Sequence, residues 1–87
     1  MLNLSVVLLR FLSHAVTRMQ ERGLSVQDIE LILAEPDGRI QQSKDKAIFY
    51  KKLKKRKDNL VAAVVIENLP GALIEIITVL VNFEVKK

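Results

Sequence analysis

The chain has 87 residues, of which 49% are hydrophobic and 28% are charged. This length gives room for one domain, residues 1–87, with a single core, and the charged fraction argues against a membrane protein. The absence of cysteine excludes disulfides, thiolate metal sites and a cysteine nucleophile, and a single histidine argues against a zinc site. We therefore expect no metal and no cofactor. The net charge of +4 favours an anionic partner, of which nucleic acid is the commonest.

The first twelve residues are apolar enough to resemble a signal peptide. They lack a basic leading segment, Arg10 interrupts the apolar run, and no small-residue cleavage site follows. The run is also too short to span a bilayer, so we expect a cytoplasmic protein that does not associate with membranes. Within it, Val6 to Phe11 fits either a first strand or an extended lead-in, since periodicity does not decide for so short a run.

Two helices are expected next, and both carry end signals. Ser13 suits the N-cap of the first helix, and Gly23 suits the left-handed position that ends it. Ser25 suits the N-cap of the second helix, with Asp28 three residues later completing a capping box. The sequence Glu35-Pro36-Asp37-Gly38 ends this second helix.

The first helix carries a distinctive polar stripe. His14, Arg18 and Arg22 are spaced at i, i+4 and i+8 and therefore stack on one face, beside a second stripe of Ala15 and Met19 that suits a core. Two fixed cations and an imidazole that can move a proton near neutral pH are suited to a bound phosphate. The alternative is structural: His14 bonds a backbone carbonyl near the helix start, and the two arginines are solvated helix cations.

Beyond Gly38 the pattern changes from helical to strand-like. We predict strands over Arg39 to Ser43, Ala47 to Leu53, Leu60 to Glu67 and Ala72 to Asn82. Short turns between them indicate a meander, and apolar residues on both faces of the last two strands suggest a sheet covered on both sides by helices or by another chain. The expected fold is α+β, with two N-terminal helices packed on a four- or five-stranded, mostly antiparallel meander.

A basic run begins at the end of the second predicted strand and continues into the tip of the following hairpin. Its six cations are Lys51, Lys52, Lys54, Lys55, Arg56 and Lys57. This density favours contacts to RNA phosphates, with Tyr50 immediately before the run as the candidate for stacking on a base. The alternative is a solvated loop that guards an edge strand.

One family shares these motifs. The chain resembles the domain of unknown function family 4258 from about residue 11 to residue 82, on the residues Ser13-His14-Ala15, Arg18, Glu21-Arg22-Gly23-Leu24-Ser25, Asp28, Ile29, Pro36 and Ile76-Ile77-Thr78-Val79. That family looks distantly similar to the RelE/ParE and barnase-like small toxin ribonucleases. The resemblance implies a RelE-like sheet on two helices, metal-independent RNA cleavage and an antitoxin partner. The catalytic positions it implies are His14, Arg18, Arg22 and Thr78.

The functional expectation is a RelE-like RNA-binding protein, in its sharpest form a toxin-type endoribonuclease. A ribose 2′-hydroxyl would attack the adjacent phosphate, with His14 transferring a proton and Arg18 and Arg22 stabilising the charge that develops on phosphorus. Two alternatives stay open. One is a non-catalytic module that binds nucleic acid or a protein, and the other is a structural homo-oligomer.

Overall fold

The computed structural model describes residues 7–85, which form two helices and one open five-stranded sheet. In chain order the elements are β1 (Leu8–Phe11), α1 (Ser13–Arg22), α2 (Val26–Ala34), β2 (Gly38–Gln41), β3 (Lys46–Lys51), β4 (Leu60–Leu69), a 3-10 turn (Pro70–Ala72) and β5 (Leu73–Phe83). The α+β class is as predicted. Neither helix in this part of the chain has the length and hydropathy that a membrane crossing needs.

The sheet is mixed, in the order β1-β5-β4-β3-β2. Strands β2 to β5 form the predicted antiparallel meander, but β1 lies parallel to β5, with Leu8 opposite Leu73 and Phe11 opposite Ile76. The prediction of helices N-terminal to the whole sheet is therefore wrong for this strand. The chain leaves β1 at one edge of the sheet, passes through both helices and re-enters at β2 on the opposite edge, so the helical pair crosses the sheet.

The start of α1 differs from the prediction by one residue. Leu12, not Ser13, is the N-cap, and it has no side-chain cap. Its backbone N–H donates to the carbonyl of Ile76 at 3.1 Å, so the pairing of β1 with β5 fixes where the helix begins. His14 is consequently the second helical residue. The helix ends as predicted at Gly23, whose φ of 65° is left-handed.

The capping box of α2 is confirmed. The Asp28 N–H donates to Ser25 Oγ at 3.1 Å, and the Ser25 N–H donates to Asp28 Oδ2 at 2.9 Å. The Asp28 side chain is 7% exposed, and Lys55 Nζ lies 2.7 Å from its Oδ1. Burial by itself raises the pKa of Asp28, but the hydrogen bonds from Lys55 and Ser25 outweigh it and hold the pKa below the ordinary value of an aspartate.

The helices cover one face of the sheet. The core on this face consists of helix, turn and strand residues packed together, the fully buried members including Ala15, Ile29, Ile32, Leu33, Val61, Ala63, Val65 and Ile76. On the opposite face a second apolar cluster forms without a helix from residues 7–85, namely Ile48, Ala62 and Val64 with Ile40, Tyr50, Ile77 and Phe83 packed around them. The expectation that helices cover both faces is therefore wrong for the described part of the chain. Cover of this face by another chain stays a prediction.

A β-bulge changes the face that the end of β5 presents. Val64 lies opposite Thr78 and Val65 lies opposite Ile76, so Ile77 has no partner of its own. Strict alternation would place Ile76 and Val79 on opposite faces, whereas both belong to the core beneath the helices. The prediction of two regular faces along this strand is therefore wrong beyond the bulge.

Acidification should remove the contribution of Asp28 to stability. Because its folded-state pKa is lowered, the contribution is present above the ordinary carboxyl value and is lost as pH falls through the folded-state value. We expect Asp28→Asn to lower the free energy of unfolding by about 1 kcal/mol at about pH 6, and the gap from wild type to narrow at about pH 2.5. Urea unfolding at both pH values measures this.

The matched control is Glu84→Gln, which removes an exposed carboxylate with no hydrogen bond or ion pair among residues 7–85. It should leave the free energy of unfolding at about pH 6 unchanged. A gap between wild type and Asp28→Asn that is as large at about pH 2.5 as at about pH 6 would contradict the assignment.

Candidate functional site

A groove of about 390 Å³ lies between α1 and the second half of β5. The helix buries Ala15 and Met19, and this orientation leaves the neighbouring polar stripe along the groove. We call it the α1 groove, and its lining residues are His14, Arg18, Arg22, Thr78, Val79, Leu80 and Val81. The structure thus brings together all four residues that the family resemblance places at a catalytic site.

The positive charge in the α1 groove is largely free of protein partners. Arg18 Nη1 lies 3.6 Å from Glu21 Oε1, but both side chains are substantially exposed, so the pair contributes little. Within residues 7–85 the side chains of His14 and Arg22 make no hydrogen bond or ion pair, and the lining of the groove includes no carboxylate. The groove is therefore suited to an anion.

The length of the stripe indicates the kind of anion. With a rise of 1.5 Å per residue, His14 and Arg22 are separated by about 12 Å along the helix axis. One phosphate group contacts only part of such a stripe, whereas a polymer with regularly spaced phosphates can contact all of it. Thr78 borders the other side of the groove, at the edge of the sheet.

The basic run begins at Lys51, the last residue of β3, and continues through the loop to β4, and protein acceptors hold most of its cations. Lys51 Nζ donates to the Glu35 carbonyl at 2.7 Å, and Lys52 Nζ donates to the Arg56 and Asp58 carbonyls at 2.9 and 2.8 Å. The Lys55 ammonium is paired with the carboxylate of Asp28, at the start of α2. These contacts tie the loop to the helical layer.

Arg56 connects this loop to the α1 groove. Its guanidinium donates from Nε to Asp58 Oδ1 at 2.9 Å, from Nη2 to Asp58 Oδ2 at 2.7 Å, and from Nη1 to the carbonyl of Arg22 at 2.7 Å. The hydrogen bonds between Arg56 and Asp58 raise the pKa of Arg56 and lower the pKa of Asp58. The guanidinium therefore closes the C-terminal end of α1, where a cation is favourable.

Lys54 and Lys57 are the two loop cations with no hydrogen bond or ion pair in the described part of the chain. RNA contact by the six cations of the run stays a prediction, and the geometry favours these two for it. A second cleft, of about 510 Å³, lies between the loop and α2. Its lining mixes four lysines with Asp28, Glu35 and Asp37, so its charge is largely compensated within the protein.

Tyr50 lies outside the α1 groove, among the side chains on the helix-free face. Its ring centroid is 5.7 Å from that of Phe83, and its ring lies over the backbone of Gly38 in the neighbouring strand. A Cβ built at Gly38 would overlap the Tyr50 hydroxyl and would be 2.8 Å from Cε2. Glycine is therefore the residue that fits beneath this ring. Base stacking by Tyr50 stays a prediction.

Sequence reasoning missed the internal pairing of the loop. Asp28, Asp37 and Asp58 are all visible in the sequence, but their lysine and arginine partners come from other elements, apart from the local pair of Arg56 and Asp58. The spacing of Arg56 and Asp58 was the one local signal of this pairing, since side chains two residues apart in a turn can bond each other.

Among the residues that the structure describes, Arg56 and Lys57 are neighbouring cations, of which the first is held by protein acceptors and the second is not. They therefore form a matched pair for testing the structural role of Arg56. We expect Arg56→Ala to lower the free energy of unfolding by about 2 kcal/mol, because Asp58 and the Arg22 carbonyl lose a charged donor. Lys57→Ala should leave it unchanged. Chemical denaturation of the two variants measures the difference, and equal losses of stability in both would contradict the structural role of Arg56.

The comparisons with known proteins give a family and no function. Residues 11–81 match the model of a family described as Domain of unknown function (DUF4258). No curated protein and no solved structure matches the chain. The family resemblance expected from the helix motif is confirmed, whereas the more distant similarity to RelE-like toxins stays a prediction. Since the match covers most of its length, the chain belongs to the DUF4258 family.

Proposed function

We propose that this protein binds single-stranded RNA along the α1 groove and cleaves it there without a metal ion. The observation that carries the proposal is the meeting of His14, Arg18, Arg22 and Thr78 around one groove whose lining has no carboxylate. The length of the stripe favours a phosphate polymer over a single small phosphate. A RelE-like fold, implied by the family resemblance, is consistent with this function and is part of the proposal.

The chemistry follows from the groups available in the groove. The His14 imidazole takes the proton of a ribose 2′-hydroxyl, and the 2′ oxygen forms a bond to the adjacent phosphorus. The bond from phosphorus to the 5′ oxygen breaks, and that oxygen takes a proton from water. The hydroxide left behind takes the proton from His14, which returns the imidazole to its starting form. The products are a 2′,3′-cyclic phosphate and a 5′-hydroxyl end. The reaction requires RNA, because DNA has no 2′-hydroxyl.

Electrostatic stabilisation would contribute most to the rate. Negative charge grows on the non-bridging phosphate oxygens as the 2′ oxygen attacks, and guanidiniums are well suited to bind two such oxygens at once. Arg18 and Arg22 supply these donors. Proton transfer to His14 would contribute about 10²–10⁴-fold.

A second candidate is RNA binding without cleavage. It is favoured by the lining of the groove, in which His14 is the one side chain of a type that commonly serves as a general acid or base. An enzyme with two acid–base groups could both accept and donate a proton at its site, whereas this groove depends on water for the second transfer. The two candidates share the binding surface and differ only in turnover.

Binding is tested by the affinity of a fluorescein-labelled single-stranded RNA, measured by anisotropy over a range of salt concentrations. We expect Arg22→Ala to weaken binding and to reduce the slope of log K against log salt by about 0.7 for each phosphate that the variant no longer neutralises. The control is Lys44→Ala, which removes one exposed cation from the turn between β2 and β3, at the other edge of the sheet. Equal effects of the two substitutions would contradict binding in the groove.

Cleavage is tested with a mixed-sequence RNA in EDTA, with wild type and His14→Ala purified identically. We expect wild type to give products with 2′,3′-cyclic phosphate ends, and His14→Ala to lose at least about 10²-fold in rate. Salt-dependent binding without cleavage by either protein would establish the non-catalytic candidate. Cleavage that is as fast in His14→Ala as in wild type would contradict the site.

A further inference from the structure

The outer edge of β5 is unpaired over much of its length. Pairing with β1 ends where Phe11 lies opposite Ile76, and the Leu12 N–H then bonds the Ile76 carbonyl before the chain turns into α1. From Ile77 to Phe83 the strand has β4 on one side and, among residues 7–85, no strand on the other. Part of this free edge, Thr78 to Val81, lines the α1 groove.

Between the bulge at Ile77 and Asn82, whose φ of 52° is left-handed, this edge has none of the charges or prolines that usually prevent strand addition. Its seven residues read Ile-Thr-Val-Leu-Val-Asn-Phe, with no charge and no proline, and Leu80 is 40% exposed. Edge strands of soluble proteins are ordinarily short, charged or interrupted by proline. The opposite edge of the sheet fits that description, because β2 has four residues and includes Arg39. The difference marks the β5 edge as a place where another strand can pair.

The positive charge on α1, beside the free edge of β5, determines which kind of strand can pair with that edge. A second copy of the chain pairing through the same edge would bring two stripes of His14, Arg18 and Arg22 together, and their like charges disfavour that contact. An acidic segment would be attracted instead. Alternate side chains of a strand repeat at about 6.6 Å, and residues four apart on a helix repeat at about 6 Å, so carboxylates at every second position match the cations of the stripe.

We propose that the free edge of β5 binds an extended acidic peptide segment as a sixth strand, with alternate carboxylates on the stripe of α1. The backbone of the segment would bond the unpaired groups between Ile77 and Phe83, which supplies affinity, and its carboxylates would supply selectivity. The consequence for activity rests on the proposed function: a segment bound here fills the α1 groove, so it excludes RNA and inhibits the protein.

The test uses a fluorescent, end-capped octapeptide of alternating glutamate and valine with the full-length chain. One control peptide replaces glutamate with lysine. A second control peptide keeps every glutamate but carries N-methyl groups at alternate residues. It is made in two versions, which block the hydrogen-bonding groups along one side of the peptide or along the other. Its charge is unchanged, whereas hydrogen bonding on the blocked side is lost. Binding is measured by anisotropy, and pairing is measured by amide hydrogen exchange at residues 77–83.

We expect the acidic peptide to bind and to slow exchange of the outward-facing amides of residues 77–83. The lysine peptide and at least one N-methylated version should bind about tenfold more weakly or worse, and Arg18→Ala should weaken binding of the acidic peptide. Equal binding of all N-methylated and unmethylated acidic peptides would overturn strand addition. So would a concentration-dependent dimer whose β5 amides are protected without peptide, because a second copy would then occupy the edge.

Failure of this inference is distinguishable from failure of the proposed function, because amide exchange needs no RNA. Slowed exchange with the acidic peptide supports strand addition whether or not RNA binds. When RNA does bind, the acidic peptide should displace it, and simultaneous binding of both at saturating concentrations would overturn the inhibitory role.

Discussion

The packing of α1 against β5 determines which side chains of the helix face the core and which line the α1 groove. Ala15 is fully buried and Met19 is almost so, and a residue as small as alanine allows the helix to approach the sheet closely. Once these two positions face the core, the helical repeat requires His14, Arg18 and Arg22 to face the side of the helix that borders the end of β5. The hydrogen bond from Leu12 to Ile76 fixes the start of the helix against the same strand.

The second feature of the fold is that, in the part of the chain that the structure covers, some of its cations are paired with protein groups and others are not. The loop between β3 and β4 has the highest density of cations, yet Lys55 and Arg56 are held by Asp28 and Asp58, where they stabilise the ends of the two helices. The stripe on α1 has fewer cations and, within residues 7–85, almost no protein partners. The density of cations in the sequence therefore favours the loop between β3 and β4 as the anion-binding surface. The cations that lack a protein partner among the described residues favour the α1 groove instead.

The parts of the fold that depend on local chemistry could be predicted from the sequence. The capping box of Ser25 and Asp28 and the left-handed Gly23 are local signals, and the alignment of His14, Arg18 and Arg22 needs only the helical repeat. The parallel pairing of β1 with β5 and the bulge at Ile77 depend on contacts between distant segments, so no local pattern indicated them. For the same reason the approach of Thr78 to α1 could be suggested only by family resemblance.

Binding of a phosphate polymer in the α1 groove is the central claim. The most direct measurement is an NMR titration of the isotope-labelled protein with a short single-stranded RNA, following the Nε–H signals of the arginines together with the backbone amides. We expect shifts at Arg18, Arg22 and the β5 amides of residues 78–81, with a smaller response in the loop of residues 52–59. Shifts confined to that loop, with the signals of α1 unchanged, would contradict the claim.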